Sequence, residues 1–360
     1  MKLHISGVFL ILVFTLAKHI LAAKRLKRQD EQPTPPSDPI PQPPDVPQPD
    51  PNNPSGTLAP DPNKPFAPPY NPGPPITPVD YTYSLNGGNG PSSWQSSNPQ
   101  CAGKMQSPIE LSDVPLVGVS YPPLRWEGHW DVRDEGFILA NIYQGVQVQF
   151  VGDGPPRLRG GPLPTDFMLS HVNFYWGNET GSIHSIEKHF FGMEAHMVHY
   201  KRRYGSYVNA TKEQDGIAIV AIFFTASQKN NMGMATLVAG LSGIRNPGSS
   251  IPLYGDAMMW LKNFNYIDHY YSYAGSLPHP PCNEMVTYIV MENPNTIGIK
   301  QIRDFQKVRT SEGPLIQNRR PIQLRNGRQI FYCNYSRADE ISTLHIIVFT
   351  SIQIFIFVFK

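Results

Sequence analysis

The sequence predicts a mainly β domain of the α+β class, a large sheet with short helices and many loops. Three features carry this. Gly145-Val146-Gln147-Val148-Gln149-Phe150 alternates apolar and polar side chains strictly, as a half-buried strand does. Ile217–Thr225 and Val286–Met291 are continuous apolar runs of strand length, which suits strands buried on both faces. Long amphipathic helical patterns are scarce, and Gly, Pro and Asn punctuate the chain from Tyr81 onward. No internal repeat is present.

The chain of 360 residues is long enough for one or two domains, but not all of it can fold. Of its 38 prolines, 20 lie between Pro33 and Pro78. So dense a proline segment cannot pair its backbone or bury much apolar surface. Residues 24–79 therefore read as a low-complexity linker, extended in polyproline II and acting as a semi-rigid spacer. At its start, Arg25-Leu26-Lys27-Arg28 offers a site of the kind proprotein convertases cut, or simply a solvated basic run.

Before it, residues 1–23 read as a signal peptide. Lys2 precedes an apolar run from Val8 to Leu16, small residues follow, and the run is too short to span a bilayer. Residues 334–360 form an apolar tail, without Asp, Glu, Lys or Arg from Ile341 to Phe359. Such a stretch could span as a helix, but it lacks the positive flank that fixes orientation. A removable signal for a glycosylphosphatidylinositol anchor, attached near Ser336, fits better. These ends place the chain in the secretory pathway and at the extracellular face of the plasma membrane. Asn178, Asn209 and Asn334 each head an Asn-x-Ser/Thr sequon, which predicts glycosylated surface loops. Net charge is +2, and no Lys/Arg stripe is interleaved with aromatics, so nucleic acid is set aside as a partner. The three cysteines, Cys101, Cys282 and Cys333, suggest one disulfide and one leftover thiol.

Several distinctive stretches follow one another along the domain. Gly90-Pro91-Ser92-Ser93-Trp94 leads into Cys101-Ala102-Gly103-Lys104-Met105-Gln106-Ser107-Pro108-Ile109. Phe174-Tyr175-Trp176-Gly177, Gly181-Ser182-Ile183-His184 and Glu194-Ala195-His196-Met197-Val198-His199-Tyr200 follow. Tyr273-Ala274-Gly275-Ser276-Leu277 precedes Pro280-Pro281, and Asn318-Arg319-Arg320-Pro321-Ile322-Gln323 precedes Asn326-Gly327-Arg328. Together and in this order these stretches resemble the alpha-carbonic anhydrase family, with a match from about Tyr81 to Phe331 within a domain set at 80–333. The resemblance implies a central twisted, mostly antiparallel sheet of about ten strands with short peripheral helices. It also implies a disulfide between Cys101 and Cys282, leaving Cys333 unpaired.

The family's chemistry needs zinc held by three imidazoles, which lowers the pKa of a bound water to about 7. Two ligands come from alternate positions of one strand, which share a face, and the third from a neighbouring strand. The matching positions here are Asn173, Tyr175 and His196. An amide is a poor zinc ligand, and a phenol with a pKa near 10 would first have to ionise. The threonine that orients the zinc-bound hydroxide and the glutamate that holds it correspond to Pro278 and Ile183. The proton-shuttling histidine corresponds to Gln144. Metal binding, nucleophile orientation and proton transfer are each damaged separately. The resemblance therefore implies a degenerate zinc site, no cofactor and no carbonate dehydratase activity.

Val198, Ile219, Leu277, Val286 and Tyr288 match the apolar wall of the family's cleft, so a formed cleft is expected. Glu194 matches the glutamate that supports the third ligand and is expected to bond His196. Glu194, His196 and His199 read as polar groups that satisfy one another inside the sheet. A displaced metal site from His171, His196 and His279 is the sharper alternative, and would make the chain an active zinc lyase or an esterase. The main expectation is a non-catalytic, carbonic anhydrase-related binding or adhesion protein with an unknown extracellular protein or glycan as partner. Lys201-Arg202-Arg203 is a candidate anionic-ligand patch or a solvated loop. A third possibility is a matrix component acting through residues 29–79, which carry too few acids to favour it.

Overall fold

The computed structural model of the protein describes residues 76–334, apart from 86–87, 113–114, 179 and 263–268. The signal segment, nearly all of the linker, Ser336 and the apolar tail lie outside the described residues. Among these residues no helix is long and apolar enough to cross a membrane.

The strands are β1 (Val117–Val119), β2 (Arg125–Glu127), β3 (Arg133–Asn141), β4 (Val146–Phe150), β5 (Arg157–Gly160), β6 (Leu163–Trp176), β7 (Met193–Lys201), β8 (Ile217–Ser227), β9 (Ser250–Gly255), β10 (His269–Gly275), β11 (Val286–Met291), β12 (Asn295–Gly298), β13 (Arg309–Thr310), β14 (Gly313–Pro314) and β15 (Phe331–Asn334). Thirteen of them form one sheet. Ten lie on a continuous path, in the order β1-β15-β10-β11-β8-β7-β6-β4-β3-β9. The count expected is about ten, and the other three are short additions: β12 continues along β8, β5 pairs with β6, and β2 pairs with β5. Most pairs are antiparallel. The exceptions are β1 with β15, β8 with β11, and β8 with β12. The longest helix described, Ile299–Phe305, has only 7 residues.

The apolar run of β8 is explained by what covers its two faces. Ala218, Val220, Ile222 and Phe224 enter one core cluster, whereas Ile217, Ile219, Ala221 and Phe223 enter a second on the other face. A strand covered on both sides has no wet face, so its sequence cannot alternate. The second face carries the polar exceptions. On β6, Val172, Phe174 and Trp176 join the first core, which leaves His171, Asn173 and Tyr175 on the opposite face. On β7, Met193, Ala195 and Met197 do the same, leaving Glu194, His196 and Val198.

Two motifs from opposite ends of the domain are tied together. Asn318 accepts from Trp176 N at 2.8 Å and donates to Phe174 O at 2.9 Å, bracing the end of β6. The buried Arg320 guanidinium donates to Gln106 Oε1 and Ser107 O, both at 2.9 Å. Cys101 and Cys282 form a disulfide across 181 positions of sequence. Cys333 is a free, buried thiol in β15, and that strand carries the sheet on to Asn334, one residue past the domain end expected from the sequence.

Closing so long a loop removes much chain entropy from the unfolded state. Replacing both Cys101 and Cys282 by alanine is expected to lower unfolding stability by about 2–5 kcal/mol, read from the urea midpoint. An unchanged midpoint would show that the opening segment is held without the covalent link.

Candidate functional site

β6 and β7 pair antiparallel so that Asn173 lies opposite His196, and Tyr175 opposite Glu194. All four are buried. Alternation on one strand and registry with the next thus bring together Asn173, Tyr175 and His196, the three positions that the resemblance matched to zinc ligands. They are not equivalent donors. The Asn173 amide oxygen already accepts from Gln147 Nε2 at 2.8 Å, and Gln147 in turn accepts from Gln149 Nε2 at 2.7 Å. Burial, with Tyr288 nearby, pushes the Tyr175 phenol well above its usual range. Its ring meets that of His196 edge-on, with centroids 4.8 Å apart.

Glu194 lies at the centre of a fully buried network. One carboxylate oxygen accepts from the backbone N–H groups of Ile183 and His184, each at 2.9 Å. The other lies 2.6 Å from both His184 Nδ1 and His196 Nε2. Burial alone would raise its pKa, but the two histidines more than offset this and hold the carboxyl below the usual range. An ionised Glu194 can only accept, so His184 Nδ1 and His196 Nε2 carry the protons. His184 Nε2 then faces the Tyr273 hydroxyl at 2.6 Å, and that hydroxyl lies 3.0 Å from Ser107 Oγ. His196 Nδ1 is buried with no hydrogen-bond partner.

Among the described residues, the group whose ligand atoms converge as a metal site requires is His184, Glu194 and His196, not His171, His196 and His279. The contacts in that group are hydrogen bonds. Donors sharing one tetrahedral zinc would stand about 3.3 Å apart, not 2.6 Å. His171 turns to Ser170 Oγ at 3.0 Å and packs edge-on against the Tyr207 ring, with centroids 5.0 Å apart. His279 donates from Nδ1 to the carbonyl oxygen of its neighbour Pro280 at 2.9 Å, and its ring stacks on that of Tyr81 with centroids 6.0 Å apart.

Pro278 is buried beside His279, and Ile183 packs with Tyr83, Trp94 and Tyr175. Gln144 lines a cavity of about 230 Å³ together with Tyr83, Glu312 and Leu315. Val198, Ile219, Leu277, Val286 and Tyr288 are buried in one cluster. Neither this cavity nor a second, of about 310 Å³ around Gln100, Lys212 and Asn283, is lined by Asn173, Tyr175 or His196. Around those three positions the expected open cleft is packed with aromatic side chains.

His199 does not belong with Glu194 and His196. It sits an odd number of positions away and faces the other side of the sheet, where its Nε2 lies 3.0 Å from His129 Nε2. Lys201 and Arg203 both engage Asp215, and Arg202 lies 3.6 Å from Asp166, so each member of the basic run has a carboxylate partner. Asn178, Asn209 and Asn334 are all exposed; Asn209 lies in a single helical turn and Asn334 at the end of β15, rather than in loops. His184 and Tyr273 were missed as site residues although both stand in the quoted motifs. His129, by contrast, had no signal in the sequence.

The eukaryotic-type carbonic anhydrase family model matches residues 89–334. The chain belongs to the alpha-carbonic anhydrase family. It is 32% identical over 256 residues to carbonic anhydrase 15 of Mus musculus, covering 67% of this chain and 79% of that protein. It is 31% identical over 270 residues to carbonic anhydrase 1 of Monodelphis domestica, covering 70% and 98%. Against carbonic anhydrase 6 of Mus musculus the identity is 28% over 276 residues, covering 74% and 85%. The large twisted sheet is consistent with that membership, and zinc is the family's usual cofactor.

Burial lowers the pKa of His171 and His199 to about 3, against about 6.5 in the unfolded chain. The unfolded state then binds more protons between these values. Stability is full above pH 6.5 and declines as pH falls toward 3, by up to about 1.4 kcal/mol per pH unit for each histidine. Urea midpoints measured across that window are expected to fall steadily. Replacing His199 with Gln, which keeps a neutral polar group there, is expected to flatten the slope, and an unaltered slope would contradict this assignment.

Proposed function

We propose that this protein is a non-catalytic, extracellular member of its family that binds a partner and no longer holds zinc. One observation carries the reading: of the three ligand positions, only His196 offers an uncommitted imidazole nitrogen. The Asn173 oxygen is engaged, and the Tyr175 phenol is held protonated by burial. This donor set does not fit the family's zinc ion, because a single imidazole cannot hold it at physiological levels. Pro278 and Ile183 cannot replace the missing hydroxyl and carboxylate, and Gln144 does not titrate.

An extracellular site is supported by the apolar leader, the disulfide and the exposed sequons. The tail after Asn334 fits attachment to the outer face of the plasma membrane, by a lipid at Ser336 or by a helix. The partner is an extracellular protein or glycan, and no cofactor is required.

The secreted protein is expected to contain far less than stoichiometric zinc and to show no carbon dioxide hydration above background. Stoichiometric zinc together with hydration would overturn the reading. Replacing Asn173 and Tyr175 by histidine in one variant is expected to restore zinc binding. Hydration should stay weak, since Pro278, Ile183 and Gln144 remain. Metal analysis and hydration assays on the same sample separate the two effects.

A further inference from the structure

We propose that the arginine-bearing face of β2 and β5, continued by Arg202 and Arg203 beyond β7, binds a sulfated polysaccharide. This names the partner class for the extracellular, non-catalytic reading and rests on it. Local sequence builds the face. Arg125-Trp126-Glu127 and Arg157-Leu158-Arg159 alternate, so Trp126 and Leu158 pack on the first core while the charged residues share the other side. Pairing of β2 with β5 sets Arg125 directly opposite Arg159, and Glu127 opposite Arg157. Asp166 of β6 engages Arg157 at 3.0 Å and Arg202 at 3.6 Å, which carries the row to the end of β7. β2, β5, β6 and β7 are successive neighbours, so the row runs about 14 Å across the strands.

Cations outnumber anions here. Glu127 is shared by Arg157 and Arg159, Asp166 by Arg157 and Arg202, and Asp215 by Lys201 and Arg203. Arg125 is exposed and makes no ion pair among the described residues. Six cations thus meet three carboxylates, and this surplus of three exceeds the +2 of the whole chain. The exposed Glu213 near Arg203 is offset by its neighbour Lys212. Two like charges directly opposite each other cost the β2–β5 pair stability, and a bound anion would remove that cost. Arg159 is held only by Glu127, at 3.2 Å, and its Nε has no hydrogen-bond partner.

Each arginine presents five N–H donors, so these guanidinium groups keep donors free beyond their shared carboxylates. Sulfate esters suit them, because they are charged at every physiological pH and offer paired oxygens to the guanidinium fork. A single inorganic anion would meet one or two of the cations, whereas a chain carrying repeated sulfates can lie along the row. Nucleic acid would also need free aromatic faces for its bases. Here Trp126 packs on the core, and the Tyr204 ring is covered by the Arg203 guanidinium 4.6 Å above its centroid. An anionic bilayer fits the position less well: β15, the strand that leads into the tail, lies five strands from β6, about 24 Å away.

The test uses the full-length secreted protein and surface plasmon resonance. The probes are heparin, its unsulfated counterpart heparosan, inorganic sulfate, single-stranded DNA and phosphatidylserine vesicles. Heparin is expected to bind most tightly, with an affinity that falls steeply as salt rises. Heparosan and inorganic sulfate should bind at least about tenfold more weakly, equivalent to about 1.4 kcal/mol. Arg125→Ser combined with Arg202→Ser should weaken heparin about tenfold as well, with a melting temperature unchanged or raised, since the opposition of Arg125 and Arg159 is relieved. Lys300→Ser, at an exposed position on the helix after β12, should leave binding unchanged. The inference is overturned if heparin does not bind, if heparosan binds as tightly, or if DNA or the vesicles bind more tightly. It is also overturned if heparin binding survives the double variant, as it would if the basic run at residues 25–28 carried it. Zinc content and hydration measured on the same preparation keep the two readings apart. A zinc-free, inactive protein that ignores heparin sinks the polysaccharide surface alone, whereas a zinc-loaded, active protein that binds it sinks only the non-catalytic reading.

Discussion

A carboxylate buried at the centre of a sheet must be surrounded by donors or it will not stay ionised. Glu194 meets this requirement with four N–H groups, from Ile183, His184 twice, and His196. Much of the domain is arranged around that demand. The loop carrying Ile183 and His184 is drawn onto β7, and His184 then reaches Tyr273 on β10. Tyr273 and the backbone of Ser276 meet Ser107 of the opening motif. The chain of contacts crosses from one end of the sequence to the other. Removing Glu194 or His196 would leave a buried polar group without its partner, at a cost of several kcal/mol.

An amide and a protonated phenol leave Asn173 and Tyr175 able to hydrogen-bond but make them poor ligands for a cation. The amide is drawn into a ladder with Gln147 and Gln149, and the phenol packs against Tyr83 and Ile183. Ile183 illustrates the division between main chain and side chain. Its apolar side chain fills the core, while its N–H still donates to Glu194.

The strand pattern separates this chemistry from the rest of the core. Because successive side chains alternate, one face of β6, β7 and β8 serves the larger apolar cluster and the other carries the site. A shift of one residue in the β6–β7 register would bury the wrong set, and the bracing of β6 by Asn318 opposes such a slip. The chain's second imidazole pair, His129 with His199, lies on the opposite face and is independent of Glu194.

The sequence by itself determined the strand-rich class, the family, the Cys101–Cys282 pairing implied by that family, and the shared strand face of His171, Asn173 and Tyr175. These follow from local rules: alternation, the spacing of motifs, and the identity of a side chain at a known place in a strand. The parallel pairing of β8 with β11 and β12 was not readable, because a buried apolar run looks the same whichever neighbour it meets. Nor was the partner of His199: sequence spacing shows which face it takes but not that His129, from a distant loop, completes it. The packing of Tyr81, Tyr207 and His279 over the site was also invisible, since those residues come from three separate segments. Tertiary structure alone decided these points, because they depend on which distant surfaces meet.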